Sequence, residues 1–433
     1  MNPASKKDPK QITLRLMLVF FVAASVGLSM AWVSIGKAVL FIGGLSVMLW
    51  HFFGQNPSST TPRWKIPVYS GRAIGVALAA FGLSLVWTTA GSAESLGSIN
   101  KYGKLLTLLL LPLLLRSRRE VIQALVVFVL FQALLATSSW LLYFGVPVPW
   151  ATSKRAVAEF SVFSTYLDQS IMSAVTAAVC WHLRHFAPTR FGKYIAIVIA
   201  AICISNVLFA LIGRSGHIVA IGLLSLAIVW ELPRRHRWIL LILPIVLLTA
   251  AYTLSPKVQQ RVQQVHEEVQ AFSLQKGESL ATGTSSGIRL HFWHRAVQSI
   301  SGSPWLGSGV GSWSNEYNRL DKKYSPGGVM VGERSNPHQE YLMWGVQLGV
   351  LGVALFIAFL LSVWRDTLHS DTADRRAAQS VLAALAVSCL FNSSVYDALI
   401  GDFFCVALGL TLALGLHRDI RSEEPEPNKL KAA

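Results

Sequence analysis

Apolar positions in this chain fall in long uninterrupted runs rather than in alternation. A membrane-spanning helix needs roughly 20 mostly apolar residues, because the bilayer core is about 30 Å thick. Twelve runs fit or approach that length: 11–30, 34–53, 71–90, 102–116, 119–144, 168–186, 193–212, 216–232, 237–255, 341–363, 376–395 and 400–417. Their continuity favours helices over a β-barrel, whose strands alternate. The fourth run is short and carries Pro112, so a kink or tilt is expected there. The pattern predicts an all-α polytopic membrane protein of about 12 transmembrane helices. Spans 1–9 fill residues 1–255, a large helical loop follows at 256–340, spans 10–12 fill 341–417, and 418–433 is a tail.

Composition supports this class. Of the 433 residues 53% are hydrophobic and 14% charged, against roughly 25% charged in soluble domains. That excludes a disordered chain, a coiled coil or an ordinary soluble enzyme. The net charge of +16 does not indicate nucleic acid, because the basic residues punctuate apolar runs. Connections after even-numbered spans are the basic ones, including Arg116, Arg118, Arg119, Arg234, Arg235 and Arg237. Basic loops stay in the cytoplasm. Both termini are therefore expected there, with 256–340 on the periplasmic side. The first run leads straight into a second and reads as a signal anchor. Cys180, Cys203, Cys389 and Cys405 are scattered within predicted spans, so neither a disulfide framework nor a metal site is expected.

The long connection carries its own pattern. Val258, Val262, Val265, Val269 and Phe272 form one helical stripe. A second helix is predicted from Ser285 or Ser286, with Arg289, Trp293, Ala296 and Ile300 on one face, ending at Ser301–Pro304. Gly307, Gly309 and Gly311 follow. They form no P-loop, since no Gly-Lys-Ser/Thr follows. Two readings stand for them: a flexible external loop, or backbone N–H groups presented to a phosphate or sugar. Asn336-Pro337-His338 signals a helix start. It puts His338 in the first turn of span 10, where the helix-terminal field favours a neutral, proton-accepting imidazole.

Arg214 sits in a very short turn between two apolar spans, where charge is costly and is usually kept for a role. A guanidinium donates two parallel hydrogen bonds to phosphate, so Arg214 and Arg289 are candidate anion ligands. Lys154 and Arg155 are supporting candidates. Asp168, Asp397 and Asp402, at span edges, read as caps or arginine partners. The chain has no Asp-x-Asp pair, so metal-independent chemistry is expected.

These features together resemble the O-antigen ligase and polymerase superfamily of bacterial envelope glycosyltransferases. The resemblance rests on Gly213-Arg214-Ser215, on Arg289…Trp293…Ala296 with Pro304 and the three glycines, and on Asn336-Pro337-His338…Tyr341-Leu342 leading to Gly345 and Gly349. It implies a GT-C-like inner-membrane ligase. The enzyme would transfer a glycan from undecaprenyl pyrophosphate to a lipid A–core hydroxyl, with inversion and without cofactor, nucleotide or metal. Its partners would be both lipid-linked substrates and membrane lipids, with no nucleic acid. By that resemblance His338 is the catalytic base, Arg214 and Arg289 bind pyrophosphate, and Trp293, Tyr341, Lys154 and Arg155 are supporting. Where the superfamily commonly has Asn after the histidine, this chain has Gln339. A polymerase or protein-glycosylating relative would use the same donor. A secondary transporter would show repeats and midplane ionisable groups, and no obvious repeat is present.

Overall fold

The computed structural model describes residues 9–53, 65–254, 285–324 and 335–417, together with part of 259–270. Among the described residues there is no strand. The chain opens with α1 (Pro9–Ser25), α2 (Met30–Phe53), α3 (Val68–Leu83), α4 (Ser92–Gly103), α5 (Thr107–Leu114) and α6 (Arg118–Tyr143). Then come α7 (Lys154–Ala158), α8 (Tyr166–Leu183), α9 (Arg190–Ser205), α10 (Arg214–Glu231) and α11 (Leu243–Leu254). From residue 285 onward they are α12 (Ser285–Gly302), α13 (Trp313–Tyr324), α14 (Glu340–Thr367), α15 (Thr372–Ser388) and α16 (Ala398–Leu416). Seven are long and apolar enough to cross a membrane: α2, α3, α6, α9, α10, α14 and α16. This is a multi-pass membrane protein. The other apolar runs hold helices that are shorter or more polar.

α16 lies at the centre. Apart from Asp402 and Thr411 its sequence is apolar all round, which suits a helix enclosed by others, and 89% of it is buried. It packs on α5, α6 and α15. α8 is also enclosed, with an unbroken buried stretch from Gln169 to Cys180. The four cysteines are buried and free.

Predicted spans 102–116 and 341–363 are among those that are interrupted. Run 102–116 is not one helix: α4 ends at Gly103, a 3₁₀ turn at Lys104–Leu106 re-aims the chain, and α5 follows. The break lies upstream of Pro112, where the turn delivers the buried Lys104 ammonium to the carbonyls of Tyr396, Asp397 and Ala398, at 3.3, 2.5 and 3.4 Å. Run 341–363 is broken at Gly349, with φ 66° and ψ −156°, inside α14. A helix break in an apolar setting needs other partners for its freed backbone groups. The segment 304–311 supplies them. Ser308 N–H donates to the Val346 carbonyl at 2.8 Å, Gly309 N–H to Gln347 at 2.9 Å, and Val350 N–H to the Pro304 carbonyl at 2.7 Å.

That bracing corrects both readings of the glycine triplet. Gly307, Gly309 and Gly311 all have positive φ, and a Cβ on any of them would run into neighbouring backbone. Their segment is neither a flexible loop nor a cradle of open N–H groups. Gly311 N–H donates to Gln347 Oε1 at 2.9 Å, and Val310 N–H to Ser84 Oγ at 3.0 Å. Leaving such groups unpaired would cost about 1–3 kcal/mol each.

The predicted helix from Ser285 is present as α12. It packs on α13 through Phe292, whose ring meets Trp313 and Tyr317 at 5.8 and 5.1 Å. His291 Nε2 lies 3.1 Å from Asp321 Oδ1. Of the earlier stripe, Val258, Val265 and Phe272 lie outside the described residues; Val262 and Val269 are helical and exposed.

Candidate functional site

Ser286, Arg289 and Phe292 recur every three residues and share one face of α12. Each meets a different distant segment. Ser286 Oγ accepts from Arg214 Nη1, at the start of α10, at 3.1 Å. Arg289 Nη2 donates to Asn392 Oδ1, in the segment between α15 and α16, at 3.3 Å. Phe292 is buried, and its ring stacks on His338 with centroids 6.1 Å apart and planes at 19°. Arg214, Arg289 and His338, far apart in sequence, are thus gathered around the first two turns of one helix. All three are half-buried.

Gly213 is the N-cap of α10 and makes no side-chain cap bond, so the first N–H groups of that helix add to the local positive field. Gly213 also lets α10 lie close against α8, since a Cβ there would meet Ser170 Oγ at 2.7 Å.

The electrostatics of the cluster are net positive and would favour an anion. Burial, and then the neighbouring Arg214 guanidinium, lower the pKa of Arg289. Its partner Asn392 is neutral. His338 is pushed down to about 4, first by burial and then by Arg289. At neutral pH its imidazole is uncharged and can accept a proton. The sequence expectation of a neutral histidine stands, but burial and Arg289 are the causes rather than a helix terminus.

His338 does not occupy the first turn of a helix. α14 starts at Glu340, and Gln339 is its N-cap, accepting from Leu342 N–H. The position where the superfamily commonly has Asn therefore serves here as a cap. His338 lies before the cap, in the left-handed region at φ 52°. A non-glycine residue there costs about 1–3 kcal/mol. Asn336 stabilises that turn: its Oδ1 accepts His338 N–H at 2.8 Å, and its Nδ2 donates to Asp397 Oδ1 at 2.8 Å.

The supporting candidates separate. Trp293 follows Arg289 by one turn; its indole N–H is buried and has no partner among the described residues. Tyr341 turns inward, bonding the Ala386 carbonyl at 3.2 Å and packing on Phe356. Lys154 and Arg155 are exposed on α7, and Arg155 lies 3.6 Å from Glu159. None of these contacts draws Tyr341, Lys154 or Arg155 into the site. Asp402 pairs with Lys37 at 2.9 Å, and Asp168 N–H donates to the Thr165 cap of α8. Asp397, first read as a cap or an arginine partner, is the N-cap residue of α16 but makes no side-chain cap bond there; its carboxylate accepts from an amide. Asn392 and Ser286 carried no sequence signal, because their partners are remote in the chain. Asn336 did carry one: asparagine readily bonds the backbone N–H two residues on. Among the described residues no group of three His, Cys, Asp or Glu could hold a metal ion.

The model of the O-antigen ligase family matches residues 197–357, a stretch that includes Arg214, Arg289 and His338 but not Asn392 or Asp397. No curated protein matches the chain.

Proposed function

Residues 197–357 match the O-antigen ligase family, a group of glycosyltransferase-like membrane enzymes of lipopolysaccharide biosynthesis, and from that premise we propose that this chain is the ligase. It transfers a glycan from undecaprenyl pyrophosphate to a lipid A–core hydroxyl at the periplasmic face. The observation that carries this reading is the convergence of two arginines and a neutral histidine on α12.

The chemistry follows from those groups. The donor's pyrophosphate lies between Arg214 and Arg289, whose planar forks match its oxygens. The acceptor hydroxyl attacks the anomeric carbon from the side opposite the pyrophosphate. The new bond joins acceptor oxygen to that carbon, and the bond from the carbon to the phosphate oxygen breaks. The electron pair leaves with the lipid pyrophosphate, held by the two guanidinium groups. The acceptor proton passes to a ring nitrogen of His338. One displacement inverts the anomeric centre without a covalent intermediate.

Charge links the two steps. In the resting site Arg289 opposes protonation of His338. A bound pyrophosphate offsets the arginine charge, so His338 becomes a stronger base once the donor is present.

The test is a reconstituted reaction containing purified protein, lipid-linked glycan and lipid A–core, with a second lipid-linked glycan as competing acceptor. Sugar is expected on lipid A–core. Sugar added to the second lipid-linked glycan instead would make the chain a polymerase. His338→Ala should lower the rate by about 10²–10⁴-fold, the usual contribution of a general base. Full activity in that variant would remove His338 from the reaction.

A further inference from the structure

Arg214 and Arg289 are held by helices, but His338 belongs to none. It precedes α14, with its backbone in a conformation that a β-carbon disfavours. A base must lie within hydrogen-bond reach of the proton it takes, so something must fix this residue. The contacts lead along a single line. Lys104, buried at the turn between α4 and α5, donates to three successive carbonyls, Tyr396, Asp397 and Ala398. Those carbonyls anchor the start of α16. Asp397 Oδ1 there accepts from Asn336 Nδ2, and Asn336 Oδ1 accepts from His338 N–H, each at 2.8 Å. Asn336 is itself buried. Its amide is used at both ends, as a donor to Asp397 and an acceptor from His338.

We propose that Asn336 is a positioning residue for His338, with Asp397 as the fixed post that sets its orientation. This rests on His338 being the base. Asp397 and Lys104 both lie outside the family match at 197–357. Through them, the orientation of the histidine depends on helices that the match does not cover. Neither Asn336 nor Asp397 is required to touch the donor, which is held by the arginines on other elements.

An exchange of donor and acceptor tests the arrangement. N336D keeps an oxygen for the His338 N–H but sets a carboxylate against Asp397. It should lower kcat by about 10–100-fold, the scale set by misplacing a reacting group by about 1 Å. The KM for lipid-linked donor should stay near wild type, because Arg214 and Arg289 are untouched. D397N alone should be mild, since its amide oxygen still accepts from Asn336. The double variant N336D/D397N restores a donor–acceptor pair with the roles reversed, and should recover most of kcat. Wild-type kcat in N336D, or a double variant no faster than N336D, would overturn the proposal. So would a donor KM that rises as much as kcat falls. If N336D is lost from the membrane, N336S replaces it; its hydroxyl serves the His338 N–H but does not span to Asp397, and unchanged kcat there also counts against the proposal. H338A run in parallel separates the two levels. An active H338A removes the base assignment itself, whereas an inactive H338A with normal Asn336 variants removes the positioning role alone.

Discussion

At the C-terminal end of α16, Arg118 donates to both carboxylate oxygens of Asp374, at 2.7 and 3.1 Å, and to the Leu414 carbonyl. Arg15 pairs with Glu120 at 2.7 Å in the same region. Near the N-terminal end of α16, Arg289 bonds the neutral amide of Asn392 and lies beside a second arginine. The residue type is the same and the surroundings are opposite. A guanidinium matched to a carboxylate has its charge satisfied within the fold. One bonded to an amide keeps most of its field for something that arrives later. The difference separates an arginine that holds helices together from one proposed to bind an anionic ligand.

Four measurements would sharpen or break this contrast. Of the four, the largest effect on activity is expected from Arg289→Lys, which keeps charge but loses the fork. It should raise the KM for lipid-linked donor and cut kcat/KM by roughly 10–100-fold, the value of one charge-assisted hydrogen bond. Thermal stability should barely move. Arg118→Ala should do the reverse. It removes the bidentate partner of Asp374, whose side chain is fully buried, and should cost about 3–5 kcal/mol of stability. Unfolding of the purified protein measures this, while the rate per folded molecule stays near wild type.

The third effect concerns pH. As the proposed base, His338 would act only when unprotonated, and its pKa is held down to about 4. The acid limb of kcat/KM should therefore lie well below the usual histidine range, leaving the rate level between about pH 5 and 8. Arg289→Gln removes the repulsion that opposes imidazolium. The pKa then rises and the limb moves to higher pH, though burial, the larger cause, keeps it below the ordinary value. A pH–rate profile of each protein decides this, and an unmoved limb would uncouple the two residues. The smallest effect is expected from Arg155→Ala, which alters an exposed pair and should change activity by less than about twofold.

Much of the architecture was legible because apolar runs need no partner to be recognised. The runs located the long apolar helices and the spacing after Ser285 located α12, whereas α4, α7 and α13 lie essentially outside any run. The breaks were not legible. Run 341–363 is apolar except for Gln347 and Ser362, and the segment that bonds across Gly349 begins at Pro304, far upstream. Likewise the three glycines show a need for positive φ only once the backbones they touch are known. In the site, Arg214, Arg289 and His338 stood out as polar residues beside apolar runs. What fixes them did not: Ser286, Asn392 and Asp397 act through contacts across 61 to 103 residues of chain. The placement of His338 was misread because Asn-Pro suggests a helix start, whereas the asparagine here closes a turn and the cap falls to Gln339.

α16 has a further consequence as a ruler. Its 19 residues at about 1.5 Å of rise each give a length near 28 Å, close to the roughly 30 Å of hydrocarbon in a bilayer. One end is tied to the Arg118 cluster through Leu414, and the other to His338 through Asp397 and Asn336. A helix enclosed on nearly every side cannot slide, so the height of the histidine above the far ion pair is set by residue count. Adding one residue within α16 would turn its end by about 100° and lift it by about 1.5 Å. On the proposed reading, a donor whose lipid tail stays in the membrane would meet His338 at a depth measured out by the chain itself.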